Sequence, residues 1–201
     1  MTPPRLDRPI ALVDLDGTLA DCGSAIAERL VALRRPDDSP EDELKTEPPP
    51  YILARQQQIM SRPGFWRDLK PIPAGLRLVE VLKELEFETF IFTKGPSDNS
   101  NAWAEKFDWC RVHVPELKVI VSEDKSVVHG DVLVEDWPPY IVQWRRRWPN
   151  GFVIISAQPW NADLNAVLEN SIRYDGANLN EIRRVLESIR KETRALPASG
   201  R

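Results

Sequence analysis

Two rhythms of apolar residues alternate along this chain. Short, nearly continuous apolar runs occur at Pro9–Asp16, Glu88–Thr93, Leu117–Ser122, Asp131–Asp136 and Gly151–Ser156. Runs of that length with no polar alternation predict strands buried on both faces of a parallel sheet. Between them the spacing changes to the helical period. Ile26, Ala27, Leu30 and Leu33 predict a helix over Leu19–Leu33, and Ile52, Leu53 and Ile59 one over Tyr51–Met60. Leu78, Val79, Leu82 and Leu85 mark Ala74–Leu85, and further helices are predicted over Asn99–Phe107 and Pro138–Trp148. The last, Leu179–Ala195, carries Ile182, Val185, Leu186 and Ile189 on one side. Ser24 fits the N-cap of the first helix, and Asn178 with Glu181 resembles a capping box at the start of the last. Strands alternating with helices in this way predict an α/β fold with a doubly wound parallel sheet.

One stretch departs from the rhythm. Arg34–Pro50 is rich in Pro, Asp and Glu, and Pro63-Gly64 ends the helix that follows. Residues 20–72 therefore read as a small, mostly helical insertion after the first strand. Residues 1–19 and 73–201 form the core, with residues 1–8 as a loose lead-in.

Composition narrows the setting. A net charge of -4 gives no basic face for polymeric nucleic acid, and Arg145-Arg146-Arg147 reads as a solvated helix face. Two cysteines and two histidines, scattered, support neither a disulfide framework nor a structural zinc site. His113 and His129 receive no role. No apolar span resembles a signal peptide or membrane helix, so a soluble, cytoplasmic protein without membrane partners is expected.

The candidate chemistry lies where strands end. The first run stops in Asp14-Leu-Asp16-Gly17-Thr18, with two carboxylates at i and i+2 facing one site. The carboxyl ends of parallel strands are where open α/β sheets place their ligand crevices. Thr93 ends the second strand, and Glu135-Asp136 ends the fourth, with Lys125 between them in sequence. An EF-hand is excluded, because its glycine belongs at loop position 6 and Gly17 would stand at position 4. Two acids, a hydroxyl, an ammonium and a third acid are the parts phosphoryl transfer needs. Asp14 is the expected nucleophile, forming an aspartyl-phosphate. Asp16 is the expected acid/base, a role that calls for a pKa raised by burial or neighbouring acids. Thr93 and Lys125 are expected on the phosphate oxygens, Lys125 also neutralising charge in the transition state. Asp136 is expected on a hard cation, Mg²⁺, with Glu135 and Thr18 in support. Each residue also has a structural reading. Thr93 fits a strand-end cap, Lys125 a surface lysine, and Glu135-Asp136 the N-terminus of the Pro138 helix; Asp131 reads as structural. Trp103, Trp109, Trp144 and Trp148 read as packing.

Together Asp14-Leu-Asp16-Gly-Thr18, Thr93, Lys125 and Glu135-Asp136 resemble the four ordered motifs of the haloacid dehalogenase (HAD) phosphatases. Within that superfamily the chain resembles the 5'(3')-deoxyribonucleotidases. The resemblance is carried by Pro63-Gly-Phe-Trp-Arg-Asp-Leu-Lys-Pro-Ile-Pro73, Asp124-Lys-Ser-Val-Val128, Gly130-Asp-Val-Leu-Val-Glu-Asp136 and Gln158-Pro-Trp-Asn161. It spans about Ile10 to Asn161. It implies a Rossmann-like core with a helical cap at 20–72, and Mg²⁺ on Asp14, Asp136 and the Asp16 backbone carbonyl. It also implies an aromatic pocket for the nucleoside, to which Phe65 and Trp66 would belong; packing of cap on core is the other reading of that pair. Gln158–Asn161 reads either as support for the phosphate loop or as packing.

The sequence departs from the family pattern at Lys94-Gly95-Pro96, where a small hydroxyl residue and a proline are usual. It departs again at Glu135 for aspartate and at Ser126 for threonine. Lys94 adds a cation near the phosphate or sugar. The expected partner is a small phosphate ester, a nucleoside or deoxynucleoside monophosphate, with sugar phosphates as the alternative substrate. A catalytically silent phosphate-binding regulator is the alternative class, and a homodimer stays open.

Overall fold

In a computed structural model of the protein, residues 8–41, 48–95, 99–162, 164 and 168–195 are described. Six strands form one parallel sheet. They are β1 (Ile10–Val13), β2 (Glu88–Thr93), β3 (Lys118–Val121), β4 (Val132–Glu135), β5 (Phe152–Ser156) and β6 (Ser171–Tyr174), in the order β3-β2-β1-β4-β5-β6. The chain leaves β1 toward one edge, then returns to the other side of β1 at β4. That reversal puts a crevice at the carboxyl ends of β1 and β4. Register brings the reactive strand ends level: Val13 lies beside Ile91 and Val134, and the Asp14 amide donates to the Val134 carbonyl at 2.9 Å.

Alternation along the strands separates two cores. Ala11, Val13, Ile91, Val134 and Ile154 belong to one apolar cluster. In that cluster they meet α3 (Pro73–Glu84), α4 (Ser100–His113) and α6 (Leu179–Ala195) through Leu78, Leu82, Trp109, Ile182 and Leu186. Leu12, Phe92, Leu133, Val153 and Ile155 form the other, with Ile141 and Trp144 of α5 (Pro138–Arg147). Helices α1 (Cys22–Leu33) and α2 (Pro50–Met60) stand between β1 and α3, and bury Leu30, Ile52 and Ile59.

The α/β class, the parallel sheet and the expected elements are present, with local differences. β6 was not expected: Ser171–Tyr174 is four residues long, half polar, and pairs on one side only, with β5, so it lacks the apolar run of a central strand. Helix α4 continues six residues past Phe107. The first helix starts at Cys22, capped by Asp21, whose carboxylate accepts from the Ser24 amide at 3.0 Å; Ser24 is inside the helix. Asn178 forms no capping box, because its side-chain amide donates to the Arg173 carbonyl and its Oδ1 accepts nothing. Arg145 is not simply solvated. Its guanidinium donates to the carbonyls of Pro149 and Gly151, closing the turn after α5, while Arg146 and Arg147 are exposed. Asp131 is structural as expected, accepting from the Ile10 amide at 2.8 Å. Residues 1–7, 42–47 and Pro96 lie outside the described residues.

Candidate active site

The site forms where β1, β4 and the loop after β3 converge. Asp14 and Lys125 are buried, and the Lys125 ammonium donates to Asp14 Oδ1 and, at 2.6 Å, to Glu135 Oε2. Lys125 holds its place because α5 grips its loop. The indoles of Trp148 and Trp144 donate to the carbonyls of Ser126 (2.8 Å) and Val128 (3.0 Å). The packing read for these tryptophans is therefore also a brace for the lysine. Glu135 turns its other oxygen, Oε1, to the amides of Asp136 and Trp137, each at 3.1 Å, shaping the turn into α5.

A second brace holds the β1 and β4 loops together. Gln158 donates to the Gly17 carbonyl at 2.7 Å, and Asn161 to the Asp136 carbonyl at 2.7 Å. Between these loops only glycine fits at position 17. Its φ is +80°, and a Cβ would collide with the Asp136 carboxylate. The close approach of the Asp136 carboxylate to the β1 loop therefore depends on a missing side chain.

Three acids and one ammonium make an electrostatically unfinished cluster. Burial, then the neighbouring Glu135, pushes the Asp14 carboxyl up to about 8. Burial, then Asp14 and Glu135, pushes Asp136 up to about 10. Lys125 runs the other way: burial disfavours its ammonium, but Asp14 and Glu135 outweigh that and raise its pKa. One buried ammonium thus faces three carboxyls, and burial with their mutual repulsion raises Asp14 and Asp136.

Carboxylate oxygens of Asp14, Glu135 and Asp136 lie within 4.8 Å of one another. An all-oxygen, electron-rich donor set fits a hard divalent cation. The raised pKa values of Asp14 and Asp136 are what a cation would reverse. The Asp16 carboxylate is outside this trio, so its link to a metal is limited to the backbone carbonyl that the resemblance implies.

The cluster opens into a cavity of about 820 Å³, of a size that holds a small organic ligand. Asp14, Asp16, Lys125, Glu135 and Asp136 line its floor, and Trp66 and Lys94 line its walls. Three predicted residues, Phe65, Thr93 and Thr18, are not on that surface. Phe65 is buried in the apolar core, edge-on to Trp66 at 5.0 Å, with the Arg29 guanidinium over its ring. Of the two aromatics only Trp66 lines the cavity. Thr93 is buried at the end of β2, where its hydroxyl makes only a long 3.5 Å contact with the Lys94 carbonyl. The Thr18 hydroxyl is buried and has no hydrogen-bond partner.

Several residues at or beside the site escaped the sequence reading, among them Trp137, Tyr140, Lys106 and Glu105. Trp137 and Tyr140 line the cavity from the start of α5, and Lys94 and Lys125 both sit over the Tyr140 ring, at 5.6 and 5.4 Å. Lys106 reaches the site from α4, pairing with Asp16 Oδ2. Its neighbour Glu105 accepts from the amides of Gly64 and Trp66. Lys106 did carry a signal. It continues the buried stripe Ala102, Trp109 and Cys110 at helical spacing, and a lysine at a core position demands a partner.

Comparison with known proteins agrees with this geometry. Among solved structures, a haloacid dehalogenase-like hydrolase from Burkholderia xenovorans superposes with a TM-score of 0.56 at 16% identity, covering 89% of this chain and 98% of that one. A HAD family hydrolase from Deinococcus radiodurans, solved with bound phosphate and sodium, gives 0.54 at 13% identity, covering 90% and 97%. These likenesses establish a HAD-type fold. By sequence, the human cytosolic-type 5'(3')-deoxyribonucleotidase is 32% identical over 142 residues, 62% of this chain and 69% of that protein. A Bordetella parapertussis relative bearing a 5'(3')-deoxyribonucleotidase name is 30% identical over 164 residues, 77% and 86% of the two chains. The family described as 5' nucleotidase, deoxy (pyrimidine), cytosolic type C protein matches residues 8–174. With its strand-end acids on a HAD-type sheet, the chain belongs to that nucleotidase family of HAD-type phosphatases.

Proposed function

We propose that the protein is a Mg²⁺-dependent phosphomonoesterase that hydrolyses nucleoside or deoxynucleoside monophosphates through an aspartyl-phosphate on Asp14. The observation that carries this reading is the buried Asp14–Lys125–Glu135–Asp136 cluster at the floor of one cavity. Asp14 and Asp136 would hold Mg²⁺ with the Asp16 backbone carbonyl. Bound there, the cation would offset repulsion between the acids and an anionic phosphate. Lys125, fixed by Glu135 and the α5 tryptophans, would bind the phosphate oxygens and keep Asp14 oriented for in-line attack. Thr93, Thr18 and Glu135 support that frame rather than line the cavity walls, apart from the portion of Glu135 on the floor. Asp16 protonates the leaving alkoxide as the ester P–O bond breaks, then takes a proton from the water that hydrolyses the aspartyl-phosphate.

We assign residues 20–72 as the cap, with the core formed by 1–19 and 73–201. The cap contributes Trp66 to the cavity, and the core contributes Trp137 and Tyr140, with the Lys94 ammonium over the Tyr140 ring. Flat aromatic walls beside a cation suit a nucleoside monophosphate. The human relative's designation as cytosolic supports a cytoplasmic location for this chain.

A hydrolysis panel of deoxynucleoside, nucleoside and sugar monophosphates, with Mg²⁺ or EDTA, tests the assignment. Nucleotides should be preferred and EDTA should stop turnover. Equal turnover of sugar phosphates would move the protein to the alternative substrate class, and no turnover of any ester would make it a silent binder. Asp14→Asn should abolish hydrolysis with the fold intact by circular dichroism.

A further inference from the structure

Lys106 belongs to none of the strand-end motifs, yet it brings a second buried ammonium to the site. Its side chain is 3% exposed. The ammonium donates to Asp16 Oδ2 and, at 2.5 Å, to the Lys94 carbonyl, and it sits 4.2 Å from the centroid of the Trp66 ring. A buried ammonium is tolerated only when its charge and donors are met, and here a carboxylate, a carbonyl and an aromatic face meet them. Glu105, the preceding residue, accepts from the main-chain amides of Gly64 at 2.6 Å and Trp66 at 3.1 Å. Two successive residues of one core helix therefore hold the cap segment and the Asp16 carboxylate.

We propose that Lys106 is a positioning residue that fixes the Asp16 carboxylate for proton transfer and, with Glu105, couples that alignment to the seating of Trp66. The inference rests on the acid/base role of Asp16 proposed above. Lys106 holds Oδ2, and Oδ1 is buried without a hydrogen-bond partner, so the Lys106 contact is what fixes the orientation of a carboxylate that lines the cavity. In the first step Asp14 forms a bond to phosphorus, the ester P–O bond breaks, and the proton of the Asp16 carboxyl passes to the departing alkoxide. In the second, water attacks the phosphorus of the aspartyl-phosphate, its proton passes to the Asp16 carboxylate, and Asp14 leaves. Lys106 touches neither phosphorus nor leaving group. It orders the carboxylate between the two steps.

The competing role is packing, since the lysine stem also fills the buried stripe of α4. Leaving-group dependence separates the two. An alkoxide needs the proton as it departs, whereas p-nitrophenolate does not. kcat/KM with Mg²⁺ is measured for a nucleoside 5'-monophosphate and for p-nitrophenyl phosphate, in wild type, Lys106→Met, Lys106→Arg and Asp16→Asn. Lys106→Met should lower kcat/KM by about 100-fold on the alkyl ester and by less than about 5-fold on the aryl ester. Asp16→Asn should show the same selectivity, and Lys106→Arg should recover part of the loss. An equal loss on both esters, or none, overturns the role of Lys106. If the Met variant does not fold, the Arg variant decides alone: an unchanged alkyl-to-aryl ratio overturns the proposal. Wild-type turnover is measured first, because its absence would defeat the phosphatase reading itself rather than the role of Lys106.

Discussion

Raising the pH without a divalent cation should destabilise this protein, and the acid cluster sets the size of the effect. Asp14 and Asp136 have ordinary carboxyl values of 3.8 when unfolded but about 8 and about 10 in the folded chain, chiefly through burial. Between these limits the folded state keeps protons that the unfolded state has released. The stability these groups contribute is therefore complete below the unfolded value and lost as pH rises through the folded one. Each such group lowers unfolding free energy by about 1.4 kcal/mol per pH unit. From about pH 6 to pH 8 the pair is worth up to about 5 kcal/mol, a large share of the 5–15 kcal/mol typical of a domain. Asp38, Asp68, Glu116 and Asp124 have lowered values and act with the opposite sign, but their titration is over well below that window. His113, lowered by burial, opposes the trend near its ordinary value of 6.5, and the buried Cys22 and Cys110 thiols, raised from 9.0, add to it as pH nears 9, so the slope between about pH 7 and pH 8 is the cleanest. Urea unfolding in EDTA at a series of pH values measures the slope directly. Mg²⁺ should stabilise increasingly as pH rises, because it replaces the protons. Metal-free stability that is flat or rising above pH 7, with a pH-independent gain from Mg²⁺, would refute this account of the cluster.

Other expectations follow from single contacts. Gly17→Ala forces an unfavourable φ and drives a methyl into the Asp136 carboxylate; it should cost about 1–3 kcal/mol of stability and weaken Mg²⁺ binding by calorimetry. Phe65→Ala should act as a core deletion, lowering stability by about 3–5 kcal/mol in urea melts, with a smaller change in KM than Trp66→Ala. Trp137→Ala should raise KM for a nucleoside monophosphate about tenfold, since stacking on an aromatic face is worth roughly 1–3 kcal/mol per base. An unchanged KM would remove Trp137 from the substrate wall.

The floor of the site was legible in sequence because each of its residues ends a buried strand or follows one closely. Asp14, Asp16, Glu135 and Asp136 sit where apolar runs stop, and the parallel topology then brings those ends together. Lys125 was placed by its order between Thr93 and Glu135. The walls were harder to see. Trp137 and Tyr140 open a helix and look like ordinary amphipathic residues until the cavity beside them is visible. Glu105 and Lys106 are adjacent charges on a helix, the usual mark of a solvated face, and only the buried stripe Ala102–Lys106–Trp109–Cys110 set the lysine apart. Phe65 stays open between stacking and packing in the sequence for a related reason. In Phe65-Trp66 sequence cannot tell which ring faces inward, and the structure turns Phe65 to the core and Trp66 to the cavity. β6 carries too little apolar character to announce itself, and it depends on β5 for its pairing.

The covalent role of Asp14 is tested most directly by stereochemistry at phosphorus. A nucleoside phosphorothioate made chiral with ¹⁸O is hydrolysed in H₂¹⁷O, and the configuration of the released thiophosphate is read. Attack by Asp14 followed by attack of water is two in-line displacements, so the account predicts net retention. Net inversion would mean that water attacks the ester in a single step, and Asp14 would not be the nucleophile.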